Sequence, residues 1–212
     1  GAAGITIHPR PDQRHIRPDD VPELAALWKE FPGTEFNIEG NPFFDYMEHV
    51  RAVRPTQCTL VPDTTEAITS DHGWTLTADE RVKLRPLIAE MKSLGCRVSL
   101  FMNADSPTIE AARELGADRV ELYTEPYAAA FVRGGEALEG SLKLYAEGAR
   151  RAAVAGLGIN GGHDLNLANL PAFLAGVPGV DEVSIGHALI ADALEFGMAT
   201  TVRKYLAACA AG

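Results

Sequence analysis

The chain is short of several things at once. It has no excess of cations: 19 Lys and Arg face 29 Asp and Glu, giving a net charge of -10 with histidine neutral. That sign argues against nucleic acid or an anionic membrane surface as a partner, though not against a small anionic ligand met by local charge. No apolar run approaches the ~20 residues of a membrane span. No basic segment leading into an apolar stretch opens the chain. The only cysteines, Cys58, Cys96 and Cys209, are scattered, odd in number and set among apolar neighbours. The expectation is reduced thiols in a cytoplasm. No low-complexity tract, linker or composition break divides the sequence, so residues 1–212 are expected to form one domain. No Gly-x-Gly-x-x-Gly follows a strand-like run, which removes the dinucleotide-binding fingerprint.

What is present is a rhythm. With 46% hydrophobic residues the chain can bury a large core. Short strand-like runs cover 4–8, 35–39, 57–62, 96–102, 118–124, 157–160 and 182–186. Helix-period segments lie between them, and a long apolar-striped segment, 188–210, follows the last. Gly95, Gly116 and Gly156 each stand just before a strand, where a helix must turn back. Seven such repeats suit a (β/α)₈ barrel one unit short, or a doubly wound sheet. Without the dinucleotide fingerprint the barrel is favoured.

In a barrel the chemistry gathers at the C-terminal strand ends. Alternation puts Thr6 and His8 opposite Ile5 and Ile7, Asn37 and Glu39 opposite Phe36 and Ile38, and Arg119 and Glu121 opposite Val120 and Leu122. The polar sets are expected to face the barrel axis. His8 and Glu39 then stand at the mouth, His163 in a glycine-rich turn after one strand, and His187 behind Gly186 at a helix start. Any one strand-end histidine is more often a structural hydrogen-bonder; several of them with inward glutamates point to a site. Arg10, Arg14 and His15 form a cation cluster suited to phosphate, or else an ordinary solvated loop. Gly186 before a helix offers a second anion position. The loop 63–78 exceeds the usual βα length and reads as a lid, a binding loop or a loose insertion. His49 is assigned to a helix surface. Metal is not favoured: no His-x-His or His-x-x-x-His pair and no Asp cluster occurs. Histidine and desolvated glutamate suit proton transfer near neutral pH.

The stretches "HPRPDQRHI", "FNIEG", "CTLVPD", "VSLFMNAD", "VELYT", "NGGHDLN" and "VSIGHALI" resemble, in order, the pyridoxine 5′-phosphate synthase family of vitamin B6 biosynthesis. The resemblance implies a (β/α)₈ TIM barrel with extra helices, of which the first βα unit, with its Asn-x-Asp-His motif, is absent from this sequence. It implies a cytoplasmic homo-oligomer, an octamer, that needs no cofactor and no metal. The implied reaction condenses 1-deoxy-D-xylulose 5-phosphate with 3-amino-2-oxopropyl phosphate to pyridoxine 5′-phosphate, inorganic phosphate and water. By resemblance His8 and Glu39 are bases, His163 is the proton donor and Glu121 a transition-state stabiliser. Arg10, His15 and Thr69 match ligands of the deoxyxylulose phosphate. Asp164, Gly186 and His187 match ligands of the amino-ketone phosphate, Asp164 through its backbone N–H alone. Two rivals remain. One is another phosphate-binding barrel lyase or epimerase; a Schiff-base aldolase would need a strand-end lysine, and all five lysines fall in helical stretches. The other is a non-catalytic barrel that binds a phosphorylated metabolite.

Overall fold

The computed structural model describes residues 1–66 and 69–211. Its strands are β1 (Gly4–Ile7), β2 (Glu35–Gly40), β3 (Gln57–Leu60), β4 (Arg97–Met102), β5 (Arg119–Tyr123), β6 (Gly158–Gly162) and β7 (Val180–Ser184). Its helices are α1 (Asp20–Trp28), α2 (Tyr46–Val53), α3 (Ala78–Ser93), α4 (Ala111–Leu115), α5 (Glu125–Arg133), α6 (Gly135–Val154), α7 (Leu170–Gly176), α8 (His187–Phe196) and α9 (Met198–Ala211). All strand pairs are parallel, and the sheet order is simply β1 to β7.

That order decides between the two architectures. A doubly wound sheet reverses its strand order at a switch point, and this one never does. The sheet also curls. Gln57 on β3 donates to Glu182 on β7 at 3.2 Å, although three strands lie between them and neighbours sit ~4.8 Å apart. Only a sheet wrapped into a barrel brings these side chains together. The fold is a nearly closed TIM barrel of seven parallel strands with helices outside it.

The alternation expected along the strands holds. Phe36, Ile38, Val98, Leu100, Val120 and Leu122 are fully buried against the helices. The opposite faces form three layers inside the barrel. At the bottom Arg97 bonds Gln57, Glu35 and Glu182, and Arg119 bonds Glu182 and Asn160. In the middle Asn37 joins Thr6 and Thr59, with buried Ser99, Glu121 and Asn160 beside them. At the top Val61, Phe101 and Tyr123 form a small apolar cluster apart from the main core. β1 is an edge strand, and there the pattern weakens: Ile7 is buried but Ile5 is 43% exposed.

The glycine expectations hold too. Gly95, Gly116 and Gly156 have φ of +86°, +100° and +80°, the left-handed region that glycine enters without a Cβ penalty. Three readings need correction. The segment 188–210 is two helices, broken where Gly197 takes φ +77°. Helix α5 was not expected; Pro126 in its first turn favours its start, and Gly134 and Gly135, both at positive φ, separate it from α6. Cys58 and Cys96 are buried free thiols, but Cys209 is exposed on the last helix. Among the described residues no helix is long and apolar enough to cross a membrane.

Candidate active site

The C-terminal strand ends carry two polar groups on opposite sides of the barrel mouth. The first gathers around β1, β2 and β3. His8 lies directly past β1, and its Nδ1 is 3.6 Å from Oε1 of Glu39 near the end of β2. Burial beside Arg10 and His15 pushes the His8 imidazole down to about 4, against the pull of Asp63. Burial with the nearby Asp63 charge pushes Glu39 up to about 7, and Arg10 offsets part of this. Low-dielectric surroundings penalise whichever form is charged, so one group stays neutral by losing a proton and the other by keeping it.

The cation cluster after β1 divides into parts. Arg10 is buried and donates from Nη1 to Asp63 Oδ2 at 2.7 Å. Arg14 pairs with Asp12 at 2.5 Å, and His15 is exposed. Carboxylates are therefore interleaved with the cations, which sequence position alone does not reveal. Asp63 is the residue the sequence reading missed; its neighbours there are Pro62 and Thr64, and only the fold sets it beside Arg10.

The second group belongs to β6 and β7. His163 directly follows β6, with φ +90°, and Asp164 follows at φ +57°. The turn is fixed from outside: Thr124 donates to the carbonyls of Gly162 and His163, and Asn169 donates to the Asp164 carbonyl at 3.0 Å. The Asp164 carboxylate lies between two imidazoles, 3.0 Å from His163 Nδ1 and 3.2 Å from His187 Nε2. Its side chain is thus engaged, where the sequence reading gave a role only to its N–H. His187 opens α8 behind Gly186, as expected, and is largely exposed.

Glu121 stands between the groups on β5. It is buried, and its Oε2 has no hydrogen-bond partner among the described residues. Desolvation and the facing carboxylates of Glu39 and Glu182 hold it well above the ordinary carboxylate range. Tyr123, two residues on, packs edge-on against the His163 ring with centroids 5.2 Å apart. A Cβ on Gly162 would fall 2.0 Å from Glu121 Oε1, so that strand position must be glycine to leave the carboxyl its room.

The loop 63–78 crosses between the groups. Thr69 Oγ1 is 2.9 Å from His163 Nε2, a link from the β3 loop to the β6 loop. Ser70 donates to Asp63 at 2.8 Å. The far half of the loop is firmly packed: Trp74 is buried and bonds Leu60, and Gly73 lies so close to Met102 that a Cβ would sit 2.3 Å from its Cα. Ala67 and Ile68 lie outside the described residues. His72 bonds its neighbour Asp71 on the surface, and His49 is half-buried on α2.

The family model described as pyridoxal phosphate biosynthesis protein PdxJ matches residues 1–211. The chain belongs to the PdxJ family. Curated relatives named pyridoxine 5′-phosphate synthase include one from Xanthomonas campestris pv. campestris, 57% identical over 219 residues, covering all of this chain and 84% of the relative. Another, from Albidiferax ferrireducens, is 55% identical over 217 residues, covering all of this chain and 85% of the relative. As a member of the PdxJ family the chain is an enzyme, a synthase of pyridoxine biosynthesis. Solved structures support the barrel alone. A 3-hexulose-6-phosphate synthase aligns with a TM-score of 0.63 at 14% identity, covering 97% of this chain and 86% of that one. A tryptophan synthase α-subunit from Pyrococcus furiosus aligns at 0.58 and 10%, covering 91% and 73%.

Proposed function

We propose that this PdxJ-family enzyme condenses 1-deoxy-D-xylulose 5-phosphate with 3-amino-2-oxopropyl phosphate, releasing pyridoxine 5′-phosphate, inorganic phosphate and water. The observation that carries the reading is one barrel mouth with two histidine–carboxylate groups on opposite sides and a buried glutamate between them. An amine must condense with a ketone, water and phosphate must leave, and a ring must close and aromatise. Every step moves a proton, so several acid–base groups around one pocket serve better than one nucleophile.

In this reading His8 is a base, and its depressed pKa leaves it neutral and able to accept a proton at physiological pH. Glu39, raised to about 7, exchanges protons near neutrality as the second base. Glu121 is protonated until a cationic iminium forms beside it; that charge favours the carboxylate and is stabilised by it. His163 donates a proton to a leaving group from Nε2, the nitrogen facing Thr69. Arg10 with His15 and Thr69 takes the deoxyxylulose phosphate. Asp164, Gly186 and His187 take the amino-ketone phosphate, where the free N–H groups opening α8 favour an anion. The carboxylate of Asp164 must turn aside from that anion, since two negative groups would repel. We place the enzyme in the cytoplasm as a homo-oligomer, an octamer by family resemblance; the exposed Phe43, Phe44, Ile190 and Leu194 are apolar surface for such association.

The test is incubation of the protein with both substrates, following pyridoxine 5′-phosphate by its ultraviolet absorbance and phosphate release in parallel. Equimolar appearance of the two is expected. Absence of the pyridine product refutes the proposed reaction.

A further inference from the structure

We infer that Asp63 is a positioning residue of the active site, holding the Arg10 guanidinium and His8 in working order and tying both to the loop 63–78. The inference rests on the roles proposed above for Arg10 and His8, and it concerns a residue outside the sets already named.

Asp63 stands three residues past the end of β3 and is buried. Its backbone is fixed from β2, where Asn41 donates to the Asp63 carbonyl at 2.8 Å. A single carboxylate oxygen, Oδ2, serves three elements. It accepts from Arg10 at 2.7 Å and from Ser70 at 2.8 Å, and lies 3.9 Å from His8 Nε2. The other oxygen, Oδ1, is buried with no hydrogen-bond partner among the described residues. A carboxylate kept only to stabilise the fold would have both oxygens satisfied, because a buried unpaired acceptor bears its full desolvation cost. Function is the natural compensation for such a half-satisfied group.

The geometry explains what the carboxylate does. Arg10 carries its donors in one plane; the Asp63 carboxylate, by holding one of them, restricts that plane and so the direction from which a phosphate is met. His8 faces the same oxygen through Nε2 at 3.9 Å while its Nδ1 faces Glu39 at 3.6 Å, so the ring lies between two carboxyl groups. Ser70 adjoins Thr69, so the anchor of Arg10 is also an anchor for the loop that reaches His163. The charged groups around this centre are His8, Arg10, Asp12 and His15 past β1, Glu39 on β2 and Asp63 past β3, with Glu121 on β5 beyond Glu39. Within that set Asp63 raises Glu39 by like-charge repulsion, second only to burial.

The experiment compares wild type with Asp63→Asn and Asp63→Glu. It measures the Kd of 1-deoxy-D-xylulose 5-phosphate by calorimetry, then KM for each substrate and the pH profile of kcat/KM. For Asp63→Asn the Kd and KM of the deoxyxylulose phosphate are expected to rise about tenfold, as when one charge-assisted hydrogen bond is lost. KM for the amino-ketone phosphate should stay within about twofold, since its ligands lie across the mouth. The acid limb of the profile should move to lower pH, because Glu39 loses a repelling charge. Asp63→Glu keeps the charge but displaces it, so the limb should stay while the deoxyxylulose phosphate still binds more weakly. Should Asp63→Asn not fold, Asp63→Glu decides by that weaker binding. Unchanged affinity for the deoxyxylulose phosphate, equal loss for both substrates, or a fixed acid limb in Asp63→Asn overturns the inference. A wild type that binds this substrate but yields no product refutes the proposed reaction and leaves the binding comparison to decide on Asp63. A wild type that does not bind it overturns both.

Discussion

His163 and Asp164 hold backbone angles that side-chain-bearing residues seldom adopt, at a cost of ~1–3 kcal/mol each. They persist because Thr124 and Asn169 hold the turn from neighbouring elements. The strain points the two side chains at each other and, through Asp164, at His187. The carboxylate beside Nδ1 fixes the imidazole and leaves Nε2 facing the mouth. His163→Ala is expected to lower kcat by ~10²–10⁴-fold, the usual worth of a positioned proton donor. Circular dichroism and the urea midpoint should remain near wild type, because the side chain adds little to the core. Near-wild-type turnover in this variant would strike His163 from the catalytic set. At this scale the histidines and Glu39 were legible from alternation and from their places after strands. Asp63 and the embrace of Asp164 were not, since each depends on a partner far away in sequence or on a turn angle.

At the scale of elements, each strand delivers one inward position per layer, and the layers demand different side chains. β6 illustrates the constraint. Its run Gly158–Gly162 reads as a weak strand, for glycine brings no side chain to pack. The reason lies on its neighbour: Gly162 clears space for Glu121, and Gly158 for Asp181 and Arg119. Gly162→Ala is therefore expected to destabilise the protein by ~1–3 kcal/mol, as overpacking does, and to displace Glu121 from the mouth. Kinetics should show kcat reduced more than the affinity for the deoxyxylulose phosphate, because Arg10 is anchored by Asp63 and not by Glu121. A variant with wild-type kcat would show that the Glu121 position is not critical. Strand and helix existence was legible because burial enforces period 2 or period 3.6. Boundaries at α5 and between α8 and α9 were not, because both depend on glycines that leave the hydrophobic stripe unbroken.

At the scale of the whole molecule, the layer of Glu35, Gln57, Arg97, Arg119 and Glu182 closes the barrel floor. Arg97 on β4 serves partners on β2, β3 and β7, so it links β4 to β2 and β7, two strands with which it does not pair through its backbone. Arg97 holds Glu35 below the usual carboxylate range by hydrogen bonding, whereas burial pushes Glu182 above it. Arg97→Met is expected to cost ~1–3 kcal/mol, since it leaves Glu35 without its paired cation and Glu182 with Arg119 alone. The urea midpoint should fall with the m-value unchanged. Because Glu35 then loses its stabilised charge, the variant's deficit should be largest at pH 7 and shrink as the pH falls through the depressed Glu35 value, where the wild-type carboxylate takes up its proton. A pH-independent deficit would attribute the loss to packing rather than charge.

The alternation of strand and helix, the polar barrel interior, the glycine turns and the family can all be read from the chain alone. Each of these is written in local periodicity or in contiguous motifs. The sequence leaves open whether the sheet is wrapped or flat, since both satisfy the same βα rhythm. The hydrogen bond between Gln57 on β3 and Glu182 on β7 resolves the choice in favour of the barrel. The tertiary structure also decides which carboxylate stands beside which cation, setting Asp63 against Arg10 and Asp12 against Arg14. Electrostatic partnership depends on distance in space, and chain order does not encode distance until the barrel closes.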